Sequence, residues 1–476
     1  MPDEPVSVAA LRRIRARQAA EDDDLRPPEF SDDALALRFA DRHADELRYV
    51  AAWSRWLRWV GTHWQGDDTL AAFDRARIIC RQAATECNAR FRKGLASAKT
   101  VAAVERLARA DRQLAATIEQ WDARALIFNT GEQEINATYD LRTGTGYTPN
   151  PLDYITKKTT CAAAPPGTKP PLWDAFLDRI TDADVDHPEH ENGGLRGFLK
   201  RYIGYCCTGL TNEHVFVFAY GTGANGKSTF INTIVRIFGD YATVADTDTF
   251  LVTRSERHPT DLAKLCGARL VVAQETAKGR RWDETKIKAL TGGDKISARF
   301  MRQDFFDFIP TFKLFVIGNH KPRLNTVDEA IRRRMLIVPF TVQIPPAERD
   351  PNLPEKLWGE RQAILRWCID GCLEWQRIGL APPKIVIDAT TEYFEDQDTM
   401  GQWLEDDTNS QAGPFAFTLS AELFTSWKAW CEKQNLKPGT EKAFVEALKD
   451  KGFAKARKDY GRGLVGIALK GNSGAA

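Results

Sequence analysis

The 476-residue chain has no apolar run approaching the ~18 residues needed to cross a bilayer. Its opening, MPDEPVSVAALRRIRARQ, lacks the apolar core of a secretory signal, so a cytoplasmic protein without membrane contact is expected. Charge of one sign is also missing. Lys and Arg number 66 against 65 Asp and Glu, a formal net charge of +1, so any nucleic-acid surface must be local. The nine cysteines, Cys80, Cys87, Cys161, Cys206, Cys207, Cys266, Cys368, Cys372 and Cys431, are odd in number and irregular in spacing, which excludes a disulfide framework. Cys368 and Cys372 share a helix face but have no second Cys or His pair nearby to complete a zinc site, and they read as small buried hydrophobes. His187 and His190, in DHPEHENGG, make at most a half-site in a solvated loop.

What is present divides the chain into five parts. Residues 1–30 carry a basic block, an acidic block and Pro27-Pro28, the pattern of a disordered tail. Residues 31–170 form an N-terminal helical and strand module. A helix is predicted from a cap at Ser31 or Asp32, with Leu35, Phe39 and Leu47 on one side. The stretch RYVAAWSRWLRWVGTHWQ then places Trp53, Trp56, Trp59 and Trp64 among arginines. It reads as a helix with a buried Trp face and a wet Arg face; stacking on a single strand of nucleic acid is the competing reading. Residues 68–120 are Ala-rich, and TVAAVERLARADRQLAATIEQWDA suits a long amphipathic helix. A strand-like, turn-rich stretch follows, then a linker at 162–171 and helices over about 172–210.

Residues 171–345 alternate helices with four continuous apolar runs, HVFVFAYG, ARLVVAQ, FKLFVIGN and MLIVPF. These are the signature of buried parallel strands in an α/β core. The first run ends in YGTGANGKST. Gly221, Thr222, Gly223, Ala224, Asn225 and Gly226 form a loop whose N–H groups can face phosphate oxygens, and Lys227, Ser228 and Thr229 open a helix whose dipole favours the same anion. Lys227 supplies a cation for β/γ-phosphates and Ser228 a hydroxyl for Mg²⁺, so ATP and Mg²⁺ are the expected ligands. Glu275, at the end of the second run, can hold Mg²⁺ or polarise a water, and Asn319, at the end of the third, can bond the γ-phosphate and that water. The arginines of IRRRMLIVPF can reach the γ-phosphate of a neighbouring subunit.

Residues 346–405 read as a helical linker region and 406–476 as a basic terminal domain. From Lys433 to Lys470 there are eight Lys and two Arg against four acids, an excess of +6. TEKAFVEALKDKGF suits a helix with Phe444, Leu448 and Val445 inward and Lys442 and Lys449 outward, and AKARKDYGRGLVGIALK a two-stranded wing turning at DYGRG. Helix and wing together resemble a winged helix, with Lys449, Lys455, Arg457, Lys458 and Arg462 as candidate DNA contacts.

The segments YGTGANGKSTFINTI, ARLVVAQET, KIKALTGGDKISARFMRQDFFDFIPTFKLFVIGNHKP and DEAIRRRMLIVPF resemble a superfamily 3 helicase of the phage and plasmid primase–helicase type, related to the poxvirus primase–helicase. The likeness extends over about 50–470. It implies a P-loop, AAA+-like core with Lys227 and Ser228 as the Walker A pair, Glu275 as the Walker B acid, Asn319 as the sensor and Arg333, then Arg334, as the arginine finger. It also implies Lys295, Arg299 and Arg302 as DNA contacts on a hairpin. The implied protein is a homo-hexameric ring moving 3′→5′ on single-stranded or forked DNA in the replication of a phage, plasmid or integrated element, alongside a separate primase or initiator. The other function expected is a DNA-dependent ATPase or origin-binding initiator without processive unwinding. Two departures stand out: the Walker B site reads Gln-Glu, not a pair of acids, and no primase site is legible upstream.

Overall fold

The computed structural model describes residues 27–470 apart from 132–135, 182–190, 254–259, 275–279, 301–303, 325–327 and 435. Most of the expected tail, His187 and His190, and the two site residues Glu275 and Arg302 therefore lie outside the described residues.

Helix α1 (Asp32–His43) starts at Ser31, whose Oγ accepts from the Ala34 N–H at 3.1 Å, and Asp32 and Asp33 complement the dipole of its first turn. Leu47 is not on this helix, as its spacing predicted, but opens strand β1 (Leu47–Val50). The Trp-rich stretch corrects its own reading more sharply. It is an antiparallel meander of β1, β2 (Arg55–Trp59) and β3 (Trp64–Gly66), not a helix. Both faces of this sheet are covered. Trp56 packs with Leu47 and Phe39 against the helices, while Leu57 joins Val50, Trp64 and Trp121 on the opposite face. A short strand buried on both sides has no alternating pattern to read.

The Ala-rich region makes three helices: α2 (Ala71–Glu86), α3 (Ala89–Leu95) and α4 (Ala98–Ala108). The single long helix expected there stops at Ala108. The Asp111 carboxylate accepts from the Gln113 N–H at 2.8 Å and turns the chain, so that β4 (Ala115–Ala116) can pair with β1. The turn-rich stretch then forms the antiparallel β5 (Ile127–Asn129), β6 (Thr138–Asp140) and β7 (Thr145–Tyr147).

After α5 (Pro171–Thr181) and α6 (Gly194–Cys206) comes the central unit: β8 (Phe216–Tyr220), α7 (Lys227–Phe238), β9 (Ala242–Asp246), β10 (Leu270–Gln274), α8 (Glu284–Gly292), the hairpin β11 (Ile296–Ala298) and β12 (Phe306–Phe308), β13 (Lys313–Gly318), α9 (Glu329–Arg332) and β14 (Met335–Pro339). Five of these strands form one parallel sheet in the order β14-β8-β13-β10-β9. On one face Val217, Val272, Phe315 and Val338 pack against helices that include α5, α6 and α7. On the other, Phe218, Val271, Val316 and Ile337 pack around Trp282, Ile287 and Tyr393. Burial on both faces is why four of the strands read as unbroken apolar runs. The edge strand β9 was not read because it is only partly covered, with Val244 exposed.

Helices α10 (Leu353–Gly359), α11 (Arg361–Ile378), α12 (Lys384–Gln397) and α13 (Thr399–Asp407) follow. Helix α11 crosses α6 with the two backbones almost touching. A Cβ on Gly204 would lie 2.1 Å from the Cys372 N, and one on Gly371 would lie 2.3 Å from the Lys200 O. Below this crossing, at the edge where the parallel strands begin, two buried cations tie α6 to the sheet. Lys313 Nζ donates to the carbonyls of Thr208, Leu210 (3.2 Å) and Thr311 (3.1 Å), and Arg269 donates to the carbonyls of Cys207 (2.5 Å) and Ile127 (2.7 Å). Cations at the carbonyl end of a helix offset its dipole.

The C-terminal unit has its own core around Trp403, Trp427, Trp430, Phe444 and Leu464. It comprises β15 (Thr408–Asn409), β16 (Phe417–Leu419), α14 (Ser420–Lys433), α15 (Glu441–Asp450), β17 (Ala454–Lys458), β18 (Gly461–Val465) and β19 (Ala468–Leu469). The expected two-stranded hairpin forms from β17 and β18, joined across Asp459-Tyr460, with β16 added as a third strand beside β18. All nine cysteines are free and all but Cys266 are buried. No described helix is long and apolar enough to cross a membrane, and no cluster of three or more His, Cys, Asp or Glu suited to a metal occurs among the described residues.

Candidate functional site

Strand β8 ends at Tyr220, and the next six residues curl into a loop before α7. The curl needs left-handed backbone at Gly223 (φ 99°) and Gly226 (φ 79°), which glycine adopts without penalty. The segment just past β14 pins the loop. Ile344 N–H donates to the Ala224 carbonyl at 2.8 Å, Asn225 Nδ2 to the Phe340 carbonyl at 3.2 Å, and Gln343 Nε2 to Thr222 Oγ1 at 3.4 Å. Gly226 also sits against α5, where a Cβ would come within 2.4 Å of Ile180 Cγ2.

Lys227 is 3% exposed, and among the described residues its ammonium has one acceptor, the Gly221 carbonyl at 2.7 Å. Burial lowers its pKa from the usual lysine range to about 8. Around it lies a cleft of about 620 Å³ lined by residues 223–229, Gln274, Ile317, Gly318, Asn319 and His320. The parallel register explains the assembly: Gln274 lies opposite Ile317 and Gly318 opposite Tyr220, so the carboxyl ends of β10, β13 and β8 converge here. A crevice at these ends is where open α/β sheets hold ligands. Gln274 is fixed by its Nε2 bond to Asn232 Oδ1 at 2.8 Å and by its carbonyl, which accepts from Thr247 Oγ1 at 2.6 Å. Lys227, Ser228, Thr229 and Asn319 thus share one cleft; the adjoining Glu275 lies outside the described residues.

The arginines are elsewhere. Met335 pairs with Phe216, the first residue of β8, so Arg333 and Arg334 sit at the opposite edge of the sheet from their own loop, about 17 Å away along a five-residue strand. They also differ from each other. Arg333 is exposed at the end of α9, whereas Arg334 turns inward, donates from Nη1 to the Ala330 carbonyl at 2.7 Å and leaves Nε buried without a partner among the described residues.

Lys295 and Arg299 flank β11 on the hairpin, as read from the sequence; Lys295 is exposed, and Arg299 lies 4.8 Å over the Phe305 ring. The aromatic content of this hairpin was missed. Phe300 and Phe305 are 40% and 58% exposed, and the FF of RQDFFDF was the available signal. In the C-terminal unit Lys455 and Lys449 both face Glu446, Lys449 at 3.7 Å, while Lys458 lies 4.8 Å over Phe417. Arg457 and Arg462 face each other across β17 and β18 with exposed side chains.

The fold and the loop define an α/β protein built on a parallel sheet, with a glycine-lined cleft at the carboxyl ends of its strands. Residues 36–182 match the family described as “D5 N terminal like”, and residues 219–334 match a second described as a “family of unknown function”. A protein of Acanthamoeba polyphaga mimivirus named “Putative helicase” is 26% identical over 283 residues, covering 52% of this chain and 29% of its own. A protein of Frog virus 3, also named a putative helicase, is 27% identical over 259 residues, covering 50% of this chain and 26% of its own. The chain thus spans less than a third of the length of these curated relatives. An apo structure of the NrS-1 C-terminal region aligns over 92% of this chain and 100% of that one with a TM-score of 0.51 at 9% identity, a likeness of fold alone. Over part of its length the chain is thus similar to viral proteins named as helicases and to the “D5 N terminal like” family.

Proposed function

We propose that the chain is an ATP-driven DNA helicase whose ATPase sites form between the subunits of a ring. One observation carries this: a buried lysine with a single carbonyl partner among the described residues stands at the mouth of a helix in a glycine-lined cleft, beside two strand ends bearing amide side chains. The residues suit a Mg²⁺-bound triphosphate. Lys227 has donors to spare for β/γ-oxygens, the 223–226 backbone curls around the same place, and Ser228 offers the metal its hydroxyl. Bound Mg²⁺ would neutralise charge that develops between the β- and γ-phosphates. Glu275 then takes the proton of the attacking water, and Asn319 orients that water against the γ-phosphate.

The far placement of Arg333 supports action in trans. An exposed guanidinium about 17 Å from its own loop serves a neighbour more readily than its own subunit. Arg334, held inward, supports the local fold instead. Lys295, Arg299 and Arg302 on the hairpin, and Arg457, Lys458 and Arg462 on a winged-helix-like C-terminal unit, are the proposed DNA contacts, with Lys449 and Lys455 partly offset by Glu446. A separate primase or initiator remains the proposed partner.

The experiment is a mixing assay on a forked duplex. Arg333→Ala and Lys227→Ala proteins should each bind ATP or DNA and assemble, yet neither should unwind. Mixed, they should recover part of the ATPase, because some interfaces then join an intact loop to an intact finger. Mixtures as inactive as either parent would refute the shared site. ATP turnover without strand displacement by the unmodified chain would favour the initiator-type ATPase.

A further inference from the structure

The Trp-rich meander is the motif that the proposed ATPase leaves unused, and the structure places it at the wall of a second cleft of about 760 Å³. One wall is β2 and β3 with the turn before them. The other is the segment 156–158 with Asp240, just past the end of α7. The walls are tied together where the Trp64 main-chain N–H donates to the Ile155 carbonyl at 2.8 Å, and the second wall is itself held by the Lys158 main-chain N–H donating to Asp240 Oδ2 at 3.2 Å.

We propose that this cleft binds single-stranded DNA, with a base on Trp53 and the phosphates on Lys157, Lys158 and Arg55. The proposal rests on reading the chain as a DNA-handling ATPase. Five observations carry it. Trp53 is 42% exposed at the cleft, while its indole is supported by Trp121 at 6.0 Å between ring centres. Lys157 and Lys158 are adjacent, and neither ammonium is ion-paired among the described residues. Lys157 Nζ reaches only the Asp240 main-chain carbonyl, at 3.5 Å. The single carboxylate lining the cleft among the described residues, Asp240, accepts instead from the Lys158 main-chain N–H.

The cations are also seated, not merely solvated. The Lys158 stem lies where a Cβ of Gly131 would be, its Cδ at 2.4 Å, and the Arg55 guanidinium lies likewise against Gly66, its Cζ at 2.4 Å. Two glycines without side chains thus let two cations lie flat on the cleft walls. Arg55 also pairs with the exposed Asp68. Finally, the floor holds the buried His63. Burial, then the charge of Lys158, lowers its pKa, so the ring presents a neutral edge. Aromatic platform, seated cations and a neutral hydrogen-bonding floor are the parts from which sequence-tolerant single-strand sites are built. Helix α7 links the two clefts: it starts at Lys227 in one and ends next to Asp240 in the other, about 18 Å apart by its length.

The test uses the full chain without nucleotide and fluorescein-labelled oligo(dT), titrated by anisotropy across a salt series. A second oligonucleotide carrying 5-iododeoxyuridine is photo-crosslinked and the adducts are mapped. We expect an adduct at Trp53, roughly tenfold weaker binding for Trp53→Ala, and a salt dependence shallower by about 1.4 log units per log unit for Lys157→Ala/Lys158→Ala. The double-lysine variant changes only partly exposed side chains, so it decides the matter should Trp53→Ala fold poorly. Adducts confined to residues 296–308 or 454–465, with the parental salt slope kept by the double variant, would overturn the proposal. If the chain hydrolyses ATP yet ignores oligo(dT), this site falls and the ATPase stands. If the chain binds oligo(dT) at Trp53 but never hydrolyses ATP, the reverse holds.

Discussion

Two buried lysines stand at the two edges of one parallel sheet, and they are bonded differently. Lys313, where β13 begins, donates to three carbonyls, two just past the end of α6 and one, Thr311, just ahead of its own strand. Lys227, beyond the end of β8, has one carbonyl partner among the described residues and a cleft in front of it. Burial lowers the pKa of both, to about 7 for Lys313 and about 8 for Lys227. A saturated ammonium has nothing left to give a ligand; its work is holding elements together. An unsaturated one is costly until an anion arrives. The contrast in partner number, more than burial itself, separates the structural cation from the one at the site.

The comparison breaks if the two substitutions trade effects. Lys227→Ala should cut ATP turnover by about 10³-fold or more at an almost unchanged melting temperature. Lys313→Met should cost about 2–4 kcal/mol of stability, by orphaning carbonyls, while turnover per folded molecule stays within a few-fold. Paired melting curves and turnover assays read both effects. Glu275→Gln should keep ATP bound while slowing its cleavage on the order of 10²-fold, measurable in a single-turnover experiment.

Titration sharpens the same contrast. A phosphate favours the charged form of Lys227, so ATP affinity should fall about tenfold per pH unit above pH 8, with proton uptake on binding, and Lys227→Met should lose that dependence. The stability sign is opposite. Between about pH 8 and the ordinary lysine value the unfolded chain holds more protons than the folded one, so this group makes the free protein more stable as pH rises. Calorimetry in buffers of different ionisation enthalpy checks the first and melting against pH the second. The smallest effect on ATPase should follow removal of the C-terminal unit. Because Trp403 and Leu404 belong to its core, the cut belongs after Asp398 and not at the expected boundary of residue 406. Basal turnover should persist and duplex binding weaken.

Much of this was legible from residue order. A sheet covered on both faces writes itself as continuous apolar runs, and the loop as glycine spacing ahead of Lys-Ser, so four central strands and the cleft's first wall could be read directly. The hairpin wing was legible from its turn. The Trp-rich meander was not. Its strands are three to five residues long, buried on both sides and rich in arginine, which defeats both the two-residue and the helical period. Nor could the sequence say that Arg333 stands at the far edge from its own loop; only strand register shows that. Lys313 was invisible for another reason: a lysine opening an apolar run looks like a strand's solvated end, and two of its acceptors come from the loop that follows α6, about a hundred residues away in sequence.

The fit of Gly226 against Ile180 has a consequence for how this loop can drift through sequence space. Gly223 is limited only by its backbone angle: a Cβ there would meet nothing within 4 Å, so asparagine, which tolerates left-handed backbone, offers a neighbouring foothold. Gly226 is barred twice, by its φ of 79° and by the Ile180 methyl. Trimming Ile180 to alanine opens the space but leaves the backbone cost of about 1–2 kcal/mol and adds a cavity. No single step leads away from Gly226, and the obvious two-step path goes downhill at both steps. In a library of variants, that position should remain glycine while Gly223 wanders.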